Sequence, residues 1–198
     1  IVFGNDSESK IGYLVRRYEG TKVLIHYGGK SAERSGLLND ICRQLDAEGI
    51  LYVKLGGVVP NPRLSKVYEG IELCRKEGVN HILAIGGGSV IDSAKAIAYG
   101  LAYDGDVWDL FDGKAEAKAC YPIGVVLTIP AAGSEMSNGC VITNEVGSRK
   151  RAYNNDLARP KFAIMNPERT FSLSTYQTAC GIVDIMMHTM ERYFSQED

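Results

Sequence analysis

The stretch Ile82-Leu-Ala-Ile-Gly-Gly-Gly-Ser-Val-Ile-Asp-Ser-Ala-Lys-Ala-Ile-Ala98 decides the fold. Its apolar start, Ile82 to Ile85, reads as a buried strand. Gly86, Gly87 and Gly88 make a turn, and Ser89 opens a run with helical spacing at Val90, Ile91, Ala94, Ile97 and Ala98. Strand, glycine turn and helix together form a cradle for a nucleotide phosphate. Glycines let the backbone approach the ligand, and the free N–H groups of the first helical turn face its negative charge. The spacing is neither Gly-x-Gly-x-x-Gly nor the Gly-Lys-Ser/Thr phosphate loop. Ser89 and Asp92 also fit a capping box, a purely structural reading of that pair.

Working outward, the same alternation recurs. Strands are expected at Ile1–Phe3, Lys22–Gly28 and Ile50–Leu55 before the one at Ile82. Between them lie a helix with Ile11, Leu14, Val15 and Tyr18 on one face (Asp6 or Ser7 as its cap), one with Leu37, Leu38, Ile41 and Leu45, and one from about Leu64 to Lys76. Pro60 and Pro62 keep the loop Gly56–Pro62 out of helix. Nearly all-apolar strands alternating with helices imply a parallel sheet covered on both faces. Ligands bind such sheets at the carboxyl ends of the strands, where the turns at Gly28 and Gly86 lie. Further on, Ile123–Ile129, Gly139–Thr143 and Lys161–Met165 read as strands, Glu145–Arg151 as a charged turn, and Thr175–Phe194 as a long helix.

The totals exclude several classes. A net charge of -2 with 23% charged residues gives no support for a nucleic-acid binder. No apolar run is long enough to span a membrane. The five cysteines, Cys42, Cys74, Cys120, Cys140 and Cys180, are odd in number and widely spaced, as for reduced thiols in a cytoplasmic protein. A chain of 198 residues that begins in a strand and ends just past an amphipathic helix is expected to be part of a longer protein.

Asp184 and His188 stand four apart on the last helix and share a face. A carboxylate and an imidazole so placed suit one divalent metal. An exposed Asp–His contact without metal would have the same spacing. His26 and His81, the other histidines, are poorly placed to complete the set.

Six motifs in series resemble the iron-containing (group III) alcohol dehydrogenase family, and within it the NADPH-dependent butanol dehydrogenase and broad aldehyde reductase branch. They are Tyr27-Gly-Gly-Lys-Ser31, Gly57-Val-Val-Pro-Asn-Pro62, Gly86-Gly-Gly-Ser-Val-Ile-Asp-Ser-Ala-Lys95, Thr128-Ile-Pro-Ala-Ala-Gly-Ser-Glu135, Lys161-Phe-Ala-Ile-Met-Asn-Pro167 and Gly181-Ile-Val-Asp-Ile-Met-Met-His188. The resemblance implies a Rossmann-like α/β dinucleotide-binding domain over residues 1–170. Residues 171–198 would be the first helix of an all-helical, metal-binding domain, the rest of which this chain lacks. It implies Fe2+, or Zn2+, held in the cleft by one aspartate and three histidines, of which Asp184 and His188 match two. Gly86, Gly87, Gly88 and Ser89 match the pyrophosphate loop. Asp92 and Lys95 match a polar pair near the cofactor, and Lys95 joins Asp184 and His188 as an expected catalytic residue. Asn61 and Pro62 match the adenosine side; Thr128, Ser134 and Lys150 match contacts to the nicotinamide half.

The resemblance further implies metal-assisted hydride transfer between NADPH and a short-chain aldehyde such as butanal, or from the alcohol in reverse, in a homodimer. NAD-preferring relatives often carry an aspartate just after the Gly28 strand, and an acid there would repel a 2′-phosphate. Gly28, Gly29, Lys30 and Ser31 stand there instead, and Lys30 and Ser31 favour NADP(H). Val59 departs from the family, where many members have glutamate. The alternatives are a glycerol- or lactaldehyde-type dehydrogenase of the same superfamily, a 3-dehydroquinate-synthase-like lyase, which the Thr128–Glu135 motif opposes, and a dinucleotide-binding fragment with no activity of its own.

Overall fold

The computed structural model describes residues 1–195, apart from the side chain of Ser31. Its strands are β1 (Val2–Phe3), β2 (Lys22–Tyr27), β3 (Leu51–Leu55), β4 (His81–Gly86), β5 (Ile123–Leu127), β6 (Gly139–Asn144), β7 (Arg149–Asn154) and β8 (Phe162–Met165). Its helices are α1 (Ile11–Arg17), α2 (Ser31–Arg34), α3 (Leu37–Ala47), α4 (Leu64–Glu77), α5 (Gly88–Ala102), α6 (Trp108–Phe111) and α7 (Thr175–Phe194). Six strands form one parallel sheet in the order β1-β8-β5-β4-β2-β3.

The expected parallel sheet is thus present, and its alternation sorts the core. Val23 and Ile25 of β2, Leu83 and Ile85 of β4 and Val126 of β5 face α1 and α3. Leu24, Ile82, Ala84, Ile123 and Val125 face α4 and α5. Each Val, Leu or Ile side chain so withdrawn from water contributes roughly 1.5–3 kcal/mol. The helix after β2 therefore lies on one face and the helix after β4 on the other. Because β2 and β4 are neighbours, the chain switches faces between them, and a crevice opens at their carboxyl ends.

Local stops are physical. Helix α4 ends at Gly78, whose φ of 67° lets its N–H reach the Cys74 carbonyl. Three details differ from the sequence expectation. The first helix is preceded by a 3-10 turn at Ser7–Lys10, and Asp6 makes no side-chain cap. Gly36, at φ 77°, breaks the helix after Gly28 into α2 and α3. Residues Arg149–Arg151, expected in a turn, begin β7, which pairs antiparallel with β6 as a separate two-stranded ribbon. That strand is exposed and basic, so it carries no apolar alternation to read.

Candidate functional site

The crevice between the ends of β2, β4 and β5 is an open cleft of about 290 Å3. Gly28, Gly29 and Ala32 line one side, Val58 to Pro60 another, and Gly86 to Val90 the floor. Thr128, Ile129 and Ala131 close it. Helix α5 starts at Gly88 in this floor, so the N–H groups of Gly88 and Ser89 have no acceptor within their own helix. A Cβ on Gly88 or Gly29 would meet nothing within 4 Å, so the space there is open toward the cleft. Open space, free N–H groups and a helix amino end fit a bound diphosphate.

The capping box is not formed. Gly87 occupies the cap position of α5 without a side-chain bond. Asp92 turns instead to the β5–β6 loop: it accepts from the Ser134 hydroxyl at 2.6 Å and from the Val141 N–H at 3.0 Å. Burial raises its carboxyl above the usual range, against the opposing pull of those two bonds and of Lys95 and Lys150.

Lys95, expected among the catalytic residues, is fully buried and does not line the cleft. Its ammonium donates to the carbonyls of Ser134 at 2.8 Å, Ser137 at 2.9 Å and Gly139 at 2.8 Å. Burial lowers its pKa, with Asp92 opposing. The spacing of Asp92 and Lys95 was legible; their turn away from the cleft depends on a loop some forty positions on, about which helical periodicity is silent. Sequence reading also missed Ser137 and Gly139, which take part through their carbonyls.

The residues of two expected subsites lie as follows. Lys150 donates to the Asn61 side chain at 2.8 Å, so these residues, expected at opposite halves of the cofactor, lie together. Asn61 holds φ 56° at the tip of its loop, and Pro62 is buried behind it. Thr128, expected with the nicotinamide half, shares a second hollow with Ala32 and Ser35 beside the Gly29–Lys30 turn. Lys30 is exposed at that turn; the Ser31 side chain lies outside the described residues. Ser134, within the β5–β6 loop, is buried against Asp92 and does not line the cleft.

Asp184 and His188 project from α7, capped by Ser174, with Asp184 Oδ1 3.7 Å from His188 Nε2. His188 is exposed and Asp184 half-buried, and Glu191 lies 3.6 Å from the other ring nitrogen. The donor chemistry suits a divalent ion, but no group of three or more metal-type side chains occurs among the described residues. These residues alone do not hold an ion in the four-coordinate manner. Helix α7 touches the cleft wall at Gly181, where a Cβ would lie 2.8 Å from the Pro130 carbonyl.

A parallel sheet with a glycine-floored cleft at its switch point defines a Rossmann-like α/β protein. The family model of iron-containing alcohol dehydrogenase matches residues 1–167, and the chain belongs to that family. It is 44% identical to a probable NADH-dependent butanol dehydrogenase 2 of Bacillus subtilis, over 98% of this chain and 50% of that protein. It is 37% identical to the NADPH-dependent aldehyde reductase YqhD of Escherichia coli, over 88% of this chain and 46% of that one. Among solved structures, NADH-dependent butanol dehydrogenase A of Thermotoga maritima superposes with a TM-score of 0.95 at 44% identity, over 98% of this chain and 48% of that chain. The chain spans about half the length of the curated relatives it matches.

Proposed function

We propose that the chain is the dinucleotide-binding part of an NAD(P)(H)-dependent alcohol dehydrogenase or aldehyde reductase acting on small alcohols and aldehydes. The observation that carries this is the glycine floor Gly86–Gly88 at the amino end of α5, open to a cleft at the switch point. The bound dinucleotide would supply or accept hydride. The chain's own residues bind and orient it. The N–H groups of Gly88 and Ser89 take the diphosphate, and the Thr128–Ala131 segment walls off water on one side. Asn61 and Lys150 sit together at the other end.

Lys30, with no acid among residues 28–31, favours NADP(H), because a lysine attracts a 2′-phosphate that an acid would repel. NADH is the second reading, favoured by the names of relatives 43–44% identical. A short-chain aldehyde such as butanal is the proposed substrate, following the butanol dehydrogenases among the relatives.

Asp184 and His188 are proposed as two of the metal ligands, iron or zinc, with α7 as the first helix of a second domain beginning near residue 171. A homodimer in the cytoplasm completes the proposal. Five free cysteines agree with a reducing compartment, and no described helix is long and apolar enough to cross a membrane.

The test is butanal-dependent consumption of NADPH and of NADH by a chain that carries the proposed second domain in full, supplied with iron(II) or zinc. Asp184→Asn and His188→Ala should each abolish turnover while leaving dinucleotide binding intact. Turnover unchanged in both variants would overturn the metal assignment, and wild-type protein consuming neither cofactor would overturn the reaction.

A further inference from the structure

Lys95 is the only buried Lys, Arg, Asp or Glu among the described residues. A buried ammonium is tolerated only when its protons are taken, and Lys95 has three donors for three backbone carbonyls. All three belong to one short segment, the end of the β5–β6 loop and the first residue of β6. The hydroxyls of Ser134 and Ser137 add longer contacts at 3.2 Å. One turn earlier on the same helix, Asp92 grips the loop through the Ser134 hydroxyl and the following strand β6 through the Val141 N–H. The helix that opens at the glycine floor therefore also fixes the chain from 134 to 141.

The beginning of the same loop faces two other parts. Ile129 packs over Gly87, where a Cβ would lie 3.4 Å from the Ile129 Cβ. The Pro130 carbonyl abuts α7 at Gly181, three residues before Asp184. One segment thus touches the glycine floor and the helix that carries Asp184 and His188, and its far end is closed around a single cation.

We infer that Lys95 is a positioning residue: its ammonium holds the 130–139 loop as a fixed wall between the glycine floor and α7, and thereby sets the affinity for the part of the dinucleotide beyond the diphosphate. The inference rests on the dinucleotide reading above. Thr128 is fixed separately, by β5 and by its N–H donating to the Gly86 carbonyl at 3.1 Å. A ligand that reaches only the Thr128 and Ala32 end should not sense Lys95.

The experiment compares NADPH with 2′,5′-ADP, which lacks the nicotinamide half, on wild type, Lys95→Met and Ser134→Ala. Lys95→Met keeps the length of the side chain but leaves three carbonyls without their donor. It should weaken NADPH about tenfold or more, while 2′,5′-ADP binding stays within about twofold. Ser134→Ala, which keeps the ammonium and its three carbonyls, should show the same asymmetry in smaller measure, about threefold. Equal loss of both ligands would mean that Lys95 only stabilises the fold, and no loss of either would mean that the loop does not need it; both overturn the inference. Wild type that binds 2′,5′-ADP and NADPH with no variant effect sinks the inference alone, whereas wild type that binds neither sinks the dinucleotide reading as well. Reductive methylation of the native protein is the check that needs no variant. Lys95 should stay unmodified while exposed Lys30 and Lys54 react, and rapid modification of Lys95 would refute the clamp.

Discussion

Gly86 and Gly88 stand two residues apart and are glycine for different reasons. A Cβ on Gly86 would sit 2.6 Å from the Val90 Cγ2, inside the turn itself. A Cβ on Gly88 would meet nothing. Gly86→Ala should therefore cost about 1–3 kcal/mol in a urea melt, by forcing the turn apart. Gly88→Leu should leave the melt nearly unchanged yet weaken dinucleotide binding about tenfold or more, because its side chain fills the space left for the ligand. The glycine turn was legible from its place between strand and helix. The division of labour among its glycines was not, since it depends on where Val90 packs.

The buried histidines give a pH prediction at the same scale. His26 donates from Nδ1 to the Leu55 carbonyl at 3.0 Å and accepts at Nε2 from the Ser93 hydroxyl at 2.9 Å, which fixes it neutral. His81 stacks on Phe162, and its ring nitrogens have no partner among the described residues. Burial lowers both to about 4, from 6.5. The unfolded chain then binds more protons than the folded one below pH 6.5. Their contribution is complete above that pH and is lost as pH falls toward 4, at up to about 1.4 kcal/mol per pH unit for each histidine. Urea melts at pH 7 and pH 5 should show this loss, and His81→Phe should remove its own share of the slope. A flat profile would contradict the burial of both rings.

At the scale of elements, α4 and α5 meet through small residues. A Cβ on Gly70 would strike the Ile97 side chain, and one on Gly100 would strike that of Ile71. Gly70→Ala and Gly100→Ala should each destabilise the fold by about 1–3 kcal/mol, measured as a lower urea midpoint with an unchanged slope. Gains of the size expected from helix propensity alone would show that the helices can part at no cost. Periodicity located these helices well, and the last one spans Thr175–Phe194 as read. It did so because their apolar faces are wide and the sheet strands beside them are almost wholly apolar. It failed at β7, where backbone pairing with β6 makes a strand out of Arg149-Lys-Arg151, and at Ser89 and Asp92, where a tertiary loop took the side chain that local capping would have used.

At the scale of the molecule, the two faces of the sheet decide where a ligand can sit. Side chains of β2 and β4 alternate between two separate cores, and the helices that follow these adjacent strands go to opposite faces. The crevice this leaves is the cleft floored by Gly86–Gly88. The sheet and the cleft were both readable from the order of apolar runs and glycine turns. The contact of Lys150 with Asn61 was not, because it depends on which loops meet across the cleft. Helix α7 carries Asp184 and His188 with no buried side chain among its described residues, so the sequence fixes their spacing and leaves the remaining ligands open.

A fluorescence titration of the protein with NADPH, repeated with NADH, tests the central claim most directly. Saturable binding of NADPH, tighter than that of NADH and weakened by Lys30→Ala, is the expected result. Equal binding of the two would contradict the role given to Lys30 while leaving the cleft in place. Binding of neither would contradict the cleft as a dinucleotide site.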